Sequence, residues 1–333
     1  MLRSDILSML RDNTGKFVSG EEIGRRFSVS RTAVSKQIQK LRLEGYDIES
    51  AVSQGHRLRR LPDLLRPEEI CPRLTTGIFG REIHYFSHLG STNDEAKKKA
   101  IGGCPEGTLI VTEEQTGGRG RLSRGWYSPQ AKGIWFSVVL RPPFPPQEAP
   151  KCTLLAAVSL NRAIRDITGI ACGIKWPNDI LCKERKLVGI LTEMSAEMDA
   201  INHIVIGMGV NVNIPSSDFP DDLKDTATSL LLETGATVSR LDLFIRILER
   251  LEELYLTVRN YGFTAVLDAW RQESVTLGKK VRVVGMDRIF CGHAVDIDSD
   301  GALMVSTDSG MERVIAGDVS IRPASDNCHE RNR

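Results

Sequence analysis

Glycine and arginine residues crowd together beside a tryptophan near the middle of the chain. The stretch EQTGGRGRLSRGW (residues 114–126) holds four glycines and three arginines within its last ten residues. Glycines let backbone amides approach a ligand closely, and guanidinium groups match the oxygens of phosphate or carboxylate. Because a glycine-rich run loses much chain entropy when it is ordered, a bound anion would help to order it. The run predicts an anion-binding loop, with a solvated loop as the alternative while it is considered alone.

The position of this run argues against a disordered tail that binds nucleic acid. The run is short and lies between two apolar segments, TLIVTEEQ and GIWFSVVL, whereas such a tail would continue without apolar partners. The chain also has no GxxxxGK[ST] motif and no GxGxxG motif after a strand, which excludes two common nucleotide-binding loops. We therefore expect an ordered sheet to hold the run at both ends.

Two further clusters could contribute to the same site. KWPND (175–179) is followed by Lys186 at the start of an apolar strand, KLVGILTE. Lys175, Asp179 and Lys186 flank a predicted hairpin, where a carboxylate and an ammonium group could converge on one ligand, although an Asx turn is the structural alternative. In IGMGVNVN, Gly207 and Gly209 indicate either a strand that lies against a ligand or a tight sheet contact.

The elements around these clusters predict an α+β protein. From about residue 80, strand-like runs alternate with helical ones, and the end of the chain has short alternating strands separated by Gly and Asp turns. Pro62 and Pro67 mark a linker before this region. The pattern predicts three domains, at residues 1–62, 63–273 and 274–325.

The first domain has the pattern of a winged helix-turn-helix. Three short amphipathic helices are followed by a hairpin, and residues 1–60 hold 12 Lys+Arg against 7 Asp+Glu. Val34, Ile38 and Leu41 form the buried stripe of the third helix. Its opposite face carries groups that can reach bases and phosphates in a major groove. The candidate DNA-binding residues are Arg31, Thr32, Ser35, Lys36 and Gln39.

Composition limits the remaining classes of function. The whole chain of 333 residues has a formal net charge of +1, which predicts no general affinity for polyanions outside the basic first domain. The seven cysteines include no CxxC pair, so we predict no zinc or other protein-held metal site. No apolar run approaches the ~20 residues that span a bilayer, so we expect a cytoplasmic protein without membrane contact.

Five motifs together resemble one known family. STND (91–94), EQTGGRGRLSRGW (114–126), KWPND (175–179), KLVGIL (186–191) and GMGVN (207–211) are similar, in this order and spacing, to the catalytic domain of biotin protein ligases. With the winged helix in front, nearly the whole chain resembles the bifunctional biotin ligases that also repress the biotin operon. The resemblance implies a central biotin/lipoate-ligase-like domain with a mixed sheet and an SH3-like C-terminal β-barrel.

The resemblance also implies roles for individual residues. The glycine- and arginine-rich run at residues 114–126, the Gly/Arg loop, would close over biotin and the α-phosphate. Trp126 would stack on adenine, and Asp179 would orient or deprotonate the acceptor amine. The implied catalytic residues are Arg121, Lys186 and Asp179. The implied biotin-binding residues are Ser91, Thr92, Asn93, Gln115, Arg119, Gly120, Arg121, Lys186, Gly189 and Gly209. The implied ATP-binding residues are Arg119, Arg121, Arg124, Trp126, Asn178 and Lys186.

The implied reaction has two steps and several partners. Biotin and ATP, with Mg²⁺ on the departing pyrophosphate, would give biotinyl-5′-AMP, and a lysine of a biotin carboxyl carrier protein or domain would accept the biotin. The adenylate-bound chain would form a homodimer on operator DNA. A lipoate-type ligase and a non-catalytic, ligand-sensing DNA-binding regulator are the alternatives. The GRGR and KWPND combination argues against the first, and the presence of Lys186 and the loop arginines argues against the second.

Overall fold

The computed structural model describes residues 2–60, 63–197, 200–285, 288–316, 320–323 and 331–332. The chain divides into two compact units, Met1–Leu64 and Leu65–Arg333. Residues 62 and 325, where the first and third domains are predicted to end, lie outside the described residues.

The first unit follows the order helix, helix, helix, hairpin. Its elements are α1 (Leu2–Asp12), α2 (Gly20–Phe27), α3 (Arg31–Leu43), β1 (Asp47–Ala51) and β2 (Gly55–Arg60). Serines cap the second and third helices, because the Ser19 hydroxyl accepts the Glu22 N–H at 3.0 Å and the Ser30 hydroxyl accepts the Ala33 N–H at 3.2 Å. Strands β1 and β2 pair antiparallel as the wing.

Helix α3 separates its apolar and polar residues on opposite faces. Val34, Ile38 and Leu41 are buried in the core of this unit, as the sequence pattern predicts. All five candidate DNA-binding residues are exposed on the other face: Arg31, Thr32, Ser35, Lys36 and Gln39. Arg31 forms an ion pair with Glu21 of α2, so DNA would have to compete for that guanidinium group.

The second unit is built on a mixed sheet. Its helices are α4 (Pro67–Ile70), α5 (Thr92–Ile101), α6 (Lys151–Thr168), α7 (Leu230–Thr234), α8 (Arg240–Tyr261) and α9 (Thr264–Glu273). Its strands up to the sheet's end are β3 (Ile83–Phe86), β4 (Leu109–Thr112), β5 (Gly133–Leu140), β6 (Gly173–Lys175), β7 (Asp179–Cys182), β8 (Arg185–Glu197) and β9 (Ala200–Asn211). In the described residues these seven strands lie in the order β3-β4-β5-β9-β8-β7-β6. Only the β3–β4 pair is parallel among them.

Burial of the central strands explains their composition. Every residue of β5 is buried, which requires the nearly continuous apolar run that the sequence shows there. Helices α6 and α8 pack against each other, and Phe136 of β5 meets Phe244 of α8 edge to face at 4.9 Å. The mixture of helices and a mostly antiparallel sheet confirms the predicted α+β class.

A second, antiparallel sheet follows α9. Its strands are β10 (Lys280–Val284), β11 (Arg288–Ile297), β12 (Leu303–Thr307), β13 (Gly310–Val314), β14 (Ser320–Pro323) and β15 (Arg331–Asn332). Trp176 of the KWPND turn is bonded to the connections of this sheet. It donates its N–H to Thr276 Oγ1, before β10, at 2.9 Å and its indole N–H to Gly301 O, between β11 and β12, at 3.0 Å. Within the described part of the chain, no helix has the length and apolar character needed to cross a bilayer.

A buried carboxylate holds the turn before β3, and we expect its loss to lower stability. Glu252 of α8 accepts N–H groups from Gly77, Ile78 and Phe79. Glu252→Ala would leave these donors unpaired and should lower the free energy of unfolding by about 3 kcal/mol, measured by urea denaturation. The neighbouring Glu253 is 61% exposed, so Glu253→Ala should lower it by less than ~1 kcal/mol. Equal effects of the two substitutions would contradict this account.

Candidate active site

A cavity of about 840 Å³ opens in the second unit beside the Gly/Arg loop. Strands β7, β8 and β9, the start of α5 and the start of β10 contribute to its wall. The structure brings to this cavity all the residues that the sequence assigned to biotin, ATP or catalysis. They are Ser91, Thr92, Asn93, Gln115, Arg119, Gly120, Arg121, Arg124, Trp126, Asn178, Asp179, Lys186, Gly189 and Gly209. Lys175 and Gly207 line it as well.

The start of α5 forms a polar corner of the cavity. Gln115 Oε1 accepts the Thr92 N–H at 2.9 Å and the Thr92 hydroxyl at 3.2 Å. Gln115 Nε2 donates to Ser128 Oγ at 3.0 Å, which fixes the orientation of the amide. The fully buried hydroxyl of Ser137 in β5 donates to Asn93 Oδ1 at 2.6 Å and lies 2.8 Å from Thr92 Oγ1. These hydrogen bonds hold the groups of the corner in fixed orientations.

Glycines allow close contact at the sheet surface. One row of paired positions crosses β7, β8, β9 and β5 and lies on one face of the sheet: Asp179, Gly189, Gly209 and Trp135. A Cβ atom on Gly209 would lie 2.2 Å from Trp126 Nε1, and one on Gly189 would lie 2.9 Å from Trp126 Cζ3. The indole of Trp126 can therefore pack against both glycines. Its Nε1 is buried and has no hydrogen-bond partner among the described residues.

The KWPND turn and the start of β8 bring a carboxylate and an ammonium group together. Lys186 Nζ lies 2.7 Å from Asp179 Oδ1 and 5.1 Å from the centre of the Trp126 ring. Asn178 donates its side-chain N–H to Ile190 O at 2.8 Å, and its Oδ1 accepts from Arg121 Nη1 at 3.3 Å. Arg121 is thereby held at the edge of the cavity.

Arg119 provides a second contact, besides that of Arg121 with Asn178, that holds the Gly/Arg loop. Its guanidinium group pairs with Asp94 in the first turn of α5, where the helix dipole favours a carboxylate. Lys97 bridges Asp94 and Glu193, at 3.1 Å and 2.8 Å. The hydrogen bond with Glu193, reinforced by Asp94, raises the pKa of Lys97 above its usual value. Arg124, at the other end of the loop, is exposed.

Sequence reasoning missed several residues at this cavity. Ser137 and Ser128 hold the polar corner, and the only signal for Ser137 was a hydroxyl inside the apolar run GIWFSVVL. Cations that no motif singled out also line the cavity: Lys183, Arg185, Lys279 and Lys280. The lining cations outnumber the lining carboxylates Asp179, Glu184 and Asp225. The cavity is therefore suited to a ligand with several negative charges.

Comparison with protein families defines the class. Residues 85–211 match the Biotin/lipoate A/B protein ligase family, residues 276–322 match the Biotin protein ligase C terminal domain, and residues 2–57 match an HTH domain. These matches confirm the fold class predicted from the sequence: a winged helix-turn-helix, a ligase-type mixed-sheet domain and a small β domain.

Comparison with individual proteins gives the family. The chain is 40% identical over 320 residues to the bifunctional ligase/repressor BirA of Bacillus subtilis, covering 96% of this chain and 98% of that protein. It is 32% identical to the biotin–[acetyl-CoA-carboxylase] ligase of Mycobacterium tuberculosis, over 72% of this chain and 88% of that protein. The chain therefore belongs to the biotin protein ligase family, as the motifs predicted.

A solved structure supports the same conclusion. The biotin protein ligase from Aquifex aeolicus, in complex with biotin and ATP, superposes with a TM-score of 0.65 at 28% identity. The superposition covers 73% of this chain and 100% of that one. The similarity therefore extends over nearly three quarters of this chain.

Proposed function

We propose that this protein is an ATP-dependent biotin protein ligase and a biotin-responsive transcriptional repressor. The observation that carries the proposal is the cavity, which gathers the polar corner of α5, the Gly/Arg loop, the KWPND turn and Lys186 within one site. The HTH match over residues 2–57 supports the second activity.

Biotin would lie between the polar corner and the glycine surface, which is the face of the sheet at Gly189 and Gly209 that the Trp126 indole also contacts. Its ureido group suits the hydroxyl and amide groups of Ser91, Thr92, Asn93 and Gln115, and its apolar body suits the surface at Gly209. Several of the corner groups are already hydrogen-bonded to one another, so their orientation requires little additional ordering on binding. The biotin carboxylate would then point toward Lys186.

In the first step, a carboxylate oxygen of biotin attacks the α-phosphorus of ATP. A carbon–oxygen–phosphorus link forms, the bond to the β-phosphate breaks, and pyrophosphate leaves with the electron pair. Two anions must approach each other, so Arg119, Arg121 and Lys186 would offset their repulsion and stabilise the charge that develops on the phosphoryl oxygens. Arg124 would contact phosphate, and Trp126 would stack on adenine beside Asn178.

In the second step, the lysine amine of a biotin carboxyl carrier protein or domain attacks the acyl carbon of biotinyl-5′-AMP. An amide forms and AMP leaves. Asp179 lines the cavity and would orient this amine or accept its proton. The Gly/Arg loop, including Gly120, would cover the adenylate and exclude water that would otherwise hydrolyse it.

Mg²⁺ would accompany the phosphates of ATP. No group of three His, Cys, Asp or Glu side chains in the described ranges is placed to hold a metal ion. Mg²⁺ is usually held by phosphates, water and one or two carboxylates, so this chain need not provide a cage of its own. The roles proposed in the two steps belong to side chains of this chain and to groups of its substrates.

The repressor activity would couple this site to operator DNA. Biotinyl-5′-AMP would order the loop and favour a homodimer, and two winged helices would then bind two half-sites. A single winged helix with few phosphate contacts binds DNA weakly. Two winged helices in one dimer would bind two half-sites together and so provide the affinity.

We expect Lys36→Ala to weaken DNA binding by a similar factor whatever the sequence of the DNA. Loss of one phosphate contact should reduce the slope of log K against log salt by about one, measured by fluorescence anisotropy with biotin and ATP present. Lys16→Ala, an exposed lysine outside α3, is the matched control and should leave the slope unchanged. Affinity that depends on neither salt nor ligand would contradict the repressor proposal.

The ligase proposal is tested by exchange of labelled pyrophosphate into ATP. We expect exchange with biotin and none with lipoate or octanoate, because the cavity is lined by hydroxyl and amide groups suited to a ureido ring. Exchange with lipoate instead would make the chain a lipoate-type ligase. Absence of exchange with every acid would leave the DNA-binding regulator as its function.

A further inference from the structure

The Gly/Arg loop lies within the connection between the end of β4 and the start of β5. One side chain is hydrogen-bonded to both ends of this connection. Arg240, the first residue of α8, donates from Nη1 to Glu113 Oε2 at 2.8 Å and to Gly133 O at 2.9 Å. Arg240 is 0% exposed and Glu113 is 2% exposed. A single guanidinium group therefore clamps both stems of residues 114–132.

Glu113 extends the clamp to neighbouring backbone. Its Oε1 accepts the Leu65 N–H at 2.9 Å, and its carbonyl oxygen accepts the Ala131 N–H at 2.9 Å. Residues just before and just after the loop are thus joined through one carboxylate and one guanidinium group. Replacing a buried ion pair by apolar residues is often neutral or stabilising, so stability alone does not account for two charges here.

The clamped stems carry the ligand-facing residues. Gln115 follows Glu113 by two residues, its N–H donates to Ser128 O at 3.2 Å, and its side chain orders Thr92. On the returning stem, the Trp126 N–H donates to Gly118 O at 2.8 Å. A shift at either stem would move Gln115 and Trp126 relative to the glycine surface.

We infer that Arg240 is a positioning residue for the ligand-binding loop, acting through Glu113 and Gly133. Arg240 does not line the cavity, so it would touch neither biotin nor ATP. Its anchor is rigid, because α8 is a 22-residue helix capped by Ser239 and packed against α6. The clamp would fix the two stems relative to each other, independently of the contacts that Arg119 and Arg121 make nearer the tip. The effect on biotin rests on the proposed function, whereas the effect on the loop does not.

The test replaces the pair by a neutral one of similar size, Glu113→Gln with Arg240→Met. The single Arg240→Met variant would leave a buried carboxylate without its partner and would confound folding with positioning. The control is Asp166→Asn with Arg250→Met, which removes a more exposed ion pair of α8, formed at 2.8 Å with α6.

Two measurements are made on both folded double variants. The first is trypsin cleavage after Arg119, Arg121 and Arg124 in the ligand-free protein, which reports local opening of the loop. We expect cleavage about tenfold faster in the Glu113/Arg240 variant only. The second is pyrophosphate exchange, in which KM for biotin should rise about tenfold while kcat falls much less, as for lost ground-state binding.

Each outcome decides the inference. A Glu113/Arg240 variant that folds and keeps the wild-type cleavage rate and KM would overturn it, and so would one that does not fold at all, since the pair would then serve folding. Equal changes in the control variant would also overturn it. If the wild-type chain shows no exchange but the cleavage result holds, the proposed function fails and the positioning role stands.

Discussion

Replacing Lys186 by alanine is expected to reduce biotin-dependent pyrophosphate exchange by a factor of about 100 to 1,000, the usual effect of removing one donor that stabilises transition-state charge. Lys186 lies in the cavity with its ammonium group 2.7 Å from Asp179 and above the face of Trp126. As biotin and the α-phosphate approach, that ammonium group would bridge two anions. Its loss would leave their repulsion uncompensated, and it would also leave Asp179 without its cation.

The measurement is kcat/KM for exchange, with folding checked by thermal denaturation. Lys224→Ala is the matched control, because Lys224 is surface-exposed, pairs with Asp221 and does not line the cavity. Lys186→Arg should restore only part of the rate, since a planar guanidinium group does not reproduce the point charge of an ammonium group. Loss of less than about threefold in Lys186→Ala would remove this residue from the catalytic assignment.

Gly209→Ala is expected to have the second largest effect, on binding of both substrates. The added Cβ would lie 2.2 Å from Trp126 Nε1 and 2.7 Å from its Cε2, distances that atoms do not tolerate. The indole must therefore leave the sheet surface, and the cavity loses the surface on which a ligand ring would lie. We expect KM for biotin and for ATP to rise by about 100-fold, the order seen when binding groups are misplaced by about 1 Å.

The fold should survive this substitution, because the atoms that must move belong to a side chain of the loop. Gly90→Ala is the control, since a Cβ there has no neighbour within 4 Å. Calorimetric titration with biotin separates binding from catalysis. Wild-type affinity in Gly209→Ala, with an unchanged melting temperature, would contradict the proposed role of the packing of Trp126 against Gly209 in ligand binding.

Local patterns were sufficient for the elements of the first unit. The Ser19 and Glu22 pair predicted where α2 begins, and the stripe of Val34, Ile38 and Leu41 predicted which face of α3 is buried. These features depend on hydrogen bonds and periodicities within about one or two helical turns, which a sequence displays directly. Whether the opposite face binds DNA stays a prediction, as do the boundaries proposed for the three domains.

The candidate site was only partly visible in the sequence. Motifs identified Gln115, Trp126 and Lys186, because ligand chemistry restricts the residue types that can occur there. Ser137 and Arg240 had no such signature. Each acts through partners far along the chain, 45 residues away for Ser137 and Thr92 and 127 for Arg240 and Glu113.

The sequence by itself determined the classes of element, the family and the chemical types of the site residues. Only the tertiary structure decided that Asp179, Gly189, Gly209 and Trp135 form one row across four strands. Strand register depends on pairing between distant segments, and a slip of one residue would turn each side chain to the other face. For the same reason, only the structure showed that one buried arginine holds both stems of the loop.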